Sequence, residues 1–194
     1  MKIGILNVQG DVSEHFQMVR HLHQKYDVYP VNVKELGDLQ GISGLIIPGG
    51  ESTVIYKILK KSGMNDRIIE MAKSGMPVMG TCAGAILLSS DTGDIRVTGM
   101  GLIGITIKRN AYGRQINSFI KTVDIKEIGK FQAVFIRAPG IESTGNCEVM
   151  SRLDGSPVMV RENNILAMTF HPELTGDSKI HEYFISMVRT VEME

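Results

Sequence analysis

Apolar positions near the start of the chain fall into short continuous runs, and helical spacing takes over between them. Residues 3 to 8 read as one such run, as a strand buried on both faces does, and Gly10-Asp11 breaks it. Val12, Phe16, Val19 and Leu22 then recur at steps of four and three, which predicts a helix with one apolar face. Val28 to Val33 predicts a second strand, and Gly44 to Pro48 a third that closes on Gly49-Gly50. Residues 53 to 60 and 65 to 73 return to helical spacing on either side of Ser62-Gly63, and Gly75-Met76-Pro77 opens the strand Val78-Met79-Gly80. Strands alternating with helices predict an α/β fold, a mostly parallel sheet flanked by helices on both faces.

The C-terminal part has a different signature. Cys147 to Arg152 and Pro157 to Arg161 flank Asp154-Gly155, and Ile165 to Phe170 follows Asn163-Asn164, so these segments predict antiparallel hairpins. Ile180, Phe184, Met187, Val188 and Val191 share one face of a last helix, expected to dock against the sheet. No repeat, low-complexity tract or linker divides the chain. Its 194 residues and 43% hydrophobic content suffice for one core, so residues 1–194 are expected to form a single domain.

Charge narrows the partners. Twenty-one basic and twenty-one acidic residues balance to zero, so no global field draws the chain to nucleic acid or to an anionic membrane. The first apolar run is too short for a signal peptide or a transmembrane helix. Two cysteines in unlike contexts, Cys82 and Cys147, are a poor basis for a disulfide framework or a metal site, which suits a reducing, cytoplasmic location. Cys147 is expected to be a buried strand residue. Neither metal nor cofactor is expected.

The chemistry concentrates in three places. Gly80-Thr81-Cys82-Ala83-Gly84 follows a buried strand and precedes the apolar run Ala85-Ile86-Leu87-Leu88, the strand-turn-helix setting of a nucleophile elbow. Glycines on both flanks allow a sharp turn, and the start of a helix favours thiolate over thiol. A thiol nucleophile needs a base and the base needs an orienting group. His171-Pro172-Glu173 supplies both at the end of a strand, where an open α/β sheet carries its site. Pro48-Gly49-Gly50-Glu51-Ser52-Thr53, after another strand, can aim the Gly50 amide at an oxyanion, with the Ala83 amide as second donor. The remaining histidines read as solvated helix positions: His15, His21 and His23 on the first helix, and His181 on the last. His21 and His23 do not share a face for a metal.

Together these stretches resemble the class I (triad) glutamine amidotransferases, and most closely their vitamin B6 branch, the glutaminase subunits of pyridoxal 5'-phosphate synthases. The resemblance runs through nearly the whole chain. The cysteine frame and His171-Pro172-Glu173-Leu174 fit many amidotransferases, whereas Arg109-Asn110-Ala111-Tyr112-Gly113-Arg114-Gln115 and Phe135-Ile136-Arg137-Ala138-Pro139 narrow it to this branch. It implies Cys82 as nucleophile, His171 as general base and acid, and Glu173 as orienting carboxylate. It also implies Gly50, Glu51, Ser52, Arg109, Ile136 and Arg137 as glutamine-binding positions, with Gln9 in Val8-Gln9-Gly10 a further candidate. Arg109 or Arg137 would take the substrate carboxylate and Glu51 its ammonium.

The implied activity is hydrolysis of L-glutamine to L-glutamate and ammonia, with the ammonia passed to a synthase subunit in an assembly of twelve of each. Two departures from the family pattern stand out: the stretch His23 to Tyr29 is slightly long, and Gly140-Ile141-Glu142 varies. An imidazole glycerol phosphate synthase glutaminase would share the triad, but Arg109 to Gln115 argues against it. A DJ-1-like stress protein commonly has histidine directly after the elbow cysteine, where this chain has Ala83. A non-catalytic binding module would have no use for an intact Cys82, His171 and Glu173.

Overall fold

A computed structural model describes residues 1–108, 111 and 118–193. The chain runs through β1 (Lys2–Leu6), α1 (Val12–His21), the single-turn α2 (His23–Tyr26), β2 (Tyr29–Val33), β3 (Gly44–Ile47), α3 (Ser52–Ser62), α4 (Met64–Lys73), β4 (Val78–Thr81) and α5 (Ala83–Leu88). It continues through β5 (Ser89–Asp91), β6 (Ile103–Lys108), β7 (Ser118–Ile125), β8 (Gly129–Ile136), β9 (Gly140–Ser143), β10 (Glu148–Leu153), β11 (Ser156–Glu162), β12 (Ile165–Met168) and α6 (Lys179–Glu192).

Nine strands form one sheet in the order β2-β1-β3-β4-β12-β11-β10-β7-β8. The first five are mutually parallel, and from β12 onward the pairing is antiparallel. This is the expected α/β fold with antiparallel strands in the C-terminal part. Alternation along the central strands sends side chains to two faces. In β3, Leu45 and Ile47 join one buried cluster with Ile55 and Leu59 of α3 and Ile68 of α4, while Ile46 joins the other with Val19 of α1 and Phe184 of α6. β12 divides in the same way, Ile165 and Ala167 against Leu166 and Met168. Both faces are covered, so these strands carry apolar residues at every position.

Several boundaries differ from the sequence reading. The first strand stops at Leu6 rather than continuing to residue 8: Asn7 donates its backbone N–H to Val33 (2.7 Å) and its side-chain amide to Asn32 (2.9 Å). His23 lies outside the first helix, which ends at His21; after Leu22 a separate turn begins, closed by Asp27 in the left-handed region (φ 50°). That turn fills the long stretch before β2. Val191 is 41% exposed, so the apolar face of α6 ends at Val188. Cys147 is buried as expected but precedes β10 by one residue. It donates to Glu162 (3.4 Å); burial, then that carboxylate, pushes its thiol up to about 11, so it stays a protonated hydrogen-bond donor. The sequence reading does not place strands β5 to β9, although β6 (Ile103, Ile105, Ile107) and β8 (Phe131, Ala133, Phe135) alternate buried apolar residues with less buried ones, and β5, β6 and β9 form a separate three-stranded sheet.

Candidate active site

β4 delivers the chain to Cys82, whose amide donates to Met168 of β12 (2.9 Å) and whose backbone takes φ 49° and ψ −102°. A non-glycine residue in this region is strained, and the strain turns the side chain out of the sheet while α5 starts at once behind it. The turn needs close packing: a Cβ on Gly84 would lie 2.1 Å from the carbonyl oxygen of Ile47, so only glycine lets α5 lie this near β3. Cys82 is 8% exposed, and its Sγ lies 4.0 Å from the carbonyl oxygen of Ile136 at the end of β8.

His171 reaches the same place from β12. Its amide donates to Val134 of β8 (2.8 Å), which anchors the residue across the sheet's C-terminal rim. Pro172 then starts a 3-10 turn over Pro172–Leu174, and the turn brings Glu173 back onto the imidazole, with Nδ1 2.7 Å from Oε1. The ring packs against Gly49, and its Nε2 is buried with no hydrogen-bond partner. Burial disfavours the imidazolium, yet Cys82 and Glu173 outweigh it and hold His171 up at about 10. Burial raises the carboxyl of Glu173 while the bond from His171 opposes that rise.

Cys82, Ala83 and His171 line one cavity of about 380 Å³ together with Gln9, Gly50, Glu51, Ser52, Ile136 and Arg137. The structure thus brings together every site residue expected from the sequence except two. Glu173 sits behind His171 rather than in the wall, and Arg109 lies outside the described residues, as does most of the Arg109 to Gln115 stretch. Gln9 accepts the Glu51 amide (2.7 Å) and so ties the end of β1 to the loop before α3. Arg137 has φ 43°, a second strained backbone position in the wall of the same cavity.

Other residues at the site escaped the sequence reading. The Asp11 carboxylate lies 3.3 Å from His171 Nδ1. Asp11, His171 and Glu173 bring ligand-type atoms within 4.8 Å of one another, a grouping accounted for by the hydrogen bond that orients the imidazole. His15 and His181 are not solvated helix positions: both are fully buried, and their ring nitrogens Nδ1 and Nε2 lie 2.9 Å apart. His15 Nε2 is 3.3 Å from Glu173 Oε2 and 3.3 Å from Thr81 Oγ1. The signal for His15 was its spacing, three residues after Val12 and four before Val19, which puts it on the apolar face. His21, by contrast, is exposed.

Comparisons with known proteins give the family. A model of the SNO glutamine amidotransferase family matches residues 5–190. A relative from Thermoplasma volcanium, named pyridoxal 5'-phosphate synthase subunit PdxT, is 57% identical over 188 residues, 96% of this chain and 94% of that protein. One of the same name from Thermotoga maritima is 49% identical over 192 residues, 97% of this chain and 100% of that protein. A solved structure described as a glutamine amidotransferase superposes with a TM-score of 0.91 at 37% identity, covering 96% of this chain and 98% of that one. The chain belongs to the SNO glutamine amidotransferase family.

Proposed function

We propose that Cys82, His171 and Glu173 carry out the glutamine hydrolysis that makes this chain the glutaminase subunit of pyridoxal 5'-phosphate synthase. The activity and complex follow from the family and from relatives named as subunits of that synthase. One observation carries the residue assignment: an imidazole with Nδ1 held by a buried carboxylate at 2.7 Å and a partnerless Nε2 shares a cavity with a cysteine on a strained elbow.

In this reading the sulfur of Cys82 attacks the side-chain amide carbon of glutamine, and the proton resident on His171 goes to the departing ammonia. The negative charge on the amide oxygen is met by the backbone N–H groups of Gly50 and Ala83. Water, deprotonated by His171, then hydrolyses the thioester to glutamate and frees the thiol. Glu173 keeps Nδ1–H pointed away from the substrate and stabilises the imidazolium. Gly50, Glu51, Ser52, Ile136 and Arg137 hold glutamine from the cavity wall, with Arg109 from outside the described residues. Arg137 or Arg109 takes the α-carboxylate, and Gln9 steadies the Glu51 loop.

Ammonia set free in water is largely protonated and no longer a nucleophile, so it must pass directly to an acceptor site. The partner proposed is the synthase subunit, in an assembly of twelve of each, located in the cytoplasm. Both cysteines are free, as that compartment requires, and no helix among the described residues is long and apolar enough to cross a membrane. The test is glutamate release by the purified chain, alone and with the synthase subunit, beside Cys82→Ala. Hydrolysis should rise with the synthase subunit and vanish in the variant; activity surviving in Cys82→Ala would overturn the assignment.

A further inference from the structure

Behind Glu173 lies a pair of buried histidines that the hydrolysis as described does not use. Glu173 spends Oε1 on His171, and its Oε2 is buried without an aligned donor. His15 Nε2 lies 3.3 Å from it. His15 Nδ1 in turn meets His181 Nε2 at 2.9 Å, and His181 Nδ1 is buried with no partner. α1 supplies His15, α6 supplies His181, and the turn after β12 supplies Glu173.

Both rings are uncharged. Burial lowers His181 to about 3; burial first, then electrostatic coupling to the His181 and His171 rings, lowers His15 well below its ordinary value. A neutral imidazole has one N–H and one bare nitrogen, so two arrangements are available to the pair. If the proton of His15 sits on Nδ1, it points at His181 Nε2, which must then be bare; the N–H of His181 falls on Nδ1, buried with nothing to receive it. Glu173 Oε2 also goes without a donor. If the proton of His15 sits on Nε2, it is aligned on Thr81 Oγ1 and faces Glu173 Oε2 at the same distance of 3.3 Å. His181 then donates Nε2–H to His15 Nδ1, and the atom left without a partner is a bare ring nitrogen. An orphaned buried N–H beside an unsatisfied carboxylate oxygen costs far more than one bare nitrogen.

We infer that His15 is a positioning residue for the triad, donating Nε2–H to Glu173 Oε2 while His181 locks it in that tautomer. The donor favours the ionised carboxylate against the pull of burial and fixes its plane, so that Oε1 stays aimed at His171. The groups that face this relay are Asp11 and His171 at the cavity end, Cys82 beyond them, and Thr81 at the end of β4. His171 aligned in this way keeps Nε2 toward the sulfur through both proton transfers.

The inference rests on the triad reading for its consequence but not for its geometry, and the tests separate the two. With the chain assembled on its synthase subunit, His15→Leu is expected to lower kcat about 10–100-fold with KM little changed, as loss of an orienting partner behind a reactive group does. His15→Gln, whose amide N–H reaches the place of Nε2, should recover most of that loss. Native kcat in His15→Leu, or equal loss in Leu and Gln, would overturn the proposal, since the second result marks a purely packing role. Nitrogen-15 NMR of the native histidines needs no variant: both rings neutral with the proton on Nε2 is the expected state, and a proton on Nδ1 of His15 sinks the idea. Cys82→Ala that still hydrolyses glutamine would instead dismiss the triad and leave those tautomers untouched.

Discussion

The protonation of one imidazole is where the chemistry can be read most directly. His171 is held at about 10 although burial alone would lower it, because Cys82 and Glu173 stabilise its charged form. Each of those groups should therefore be visible in the titration of the ring. In Cys82→Ala the His171 value is expected to fall from about 10 toward the ordinary histidine range, followed by NMR titration of the ring; a value unmoved by the loss of sulfur would show that the thiol does not support the charged ring. Glu173→Gln removes the other support and permits the wrong tautomer, since an amide can donate to Nδ1. Its kcat should drop by about 10²–10⁴-fold, the usual span for losing positioned acid–base catalysis, with glutamine affinity little affected. Arg137, strained at φ 43° in the cavity wall, belongs to binding instead, and its replacement by alanine should appear mainly in KM.

At the scale of elements, two glycines, Gly84 in the first turn of α5 and Gly155 in a hairpin turn, separate packing from backbone conformation. Gly84 meets the Ile47 carbonyl so closely that an added Cβ would sit 2.1 Å from it, and that oxygen is backbone in a central strand and cannot yield. Gly155 has open space around it and only its φ of 82° to defend, in the Asp154-Gly155 turn between β10 and β11. Gly155→Ala should cost about 1–2 kcal/mol by urea unfolding, the penalty for a left-handed alanine, and leave catalysis alone. Gly84→Ala should cost more, about 1–3 kcal/mol of overpacking plus the displacement of α5, and should abolish glutaminase turnover because the elbow moves with the helix. Similar stability and activity for the two variants would refute the distinction. The same contrast marks what the sequence makes legible. Buried parallel strands such as Gly44–Ile47 announce themselves because both faces are apolar, and the elbow does so because strand, glycines and helix are consecutive. β5 is Ser89–Asp91, three polar residues without a pattern, and β7 alternates weakly because most of it is exposed at the sheet's far end. His15 and His181 hide for another reason: each is one polar residue on an otherwise ordinary apolar face, and only the packing of α1 beside α6, 166 residues apart in sequence, gives them a partner.

On the scale of the whole molecule, the sheet takes its strands from Lys2 through Met168, and α1 and α6, from opposite ends of the chain, cover the same face of it. We propose on this ground that the chain is one cooperative domain, because neither buried cluster survives removal of the other side of the sheet; a single unfolding transition, coincident by far- and near-ultraviolet dichroism, is expected, and two resolved transitions would contradict it. The buried histidines give that transition a pH dependence of defined sign. His181 falls from 6.5 to about 3 on folding and His15 moves in the same direction, so below 6.5 the unfolded chain binds protons that the native chain refuses. Their contribution to stability is complete above about pH 6.5 and is lost as pH falls toward 3. His171, raised to about 10, has the opposite sign: its contribution is complete below about pH 6.5 and is lost as pH rises through 10. Stability should therefore peak near the ordinary histidine value and decline on both sides. His181→Leu tests the acid side, since removing one such ring should reduce the slope of unfolding free energy between pH 4 and 6 by about 1.4 kcal/mol per pH unit. Urea titrations across that range decide it, because an unchanged slope would mean that the native core already tolerates the charged ring and that α1 and α6 do not enclose a dry histidine pair.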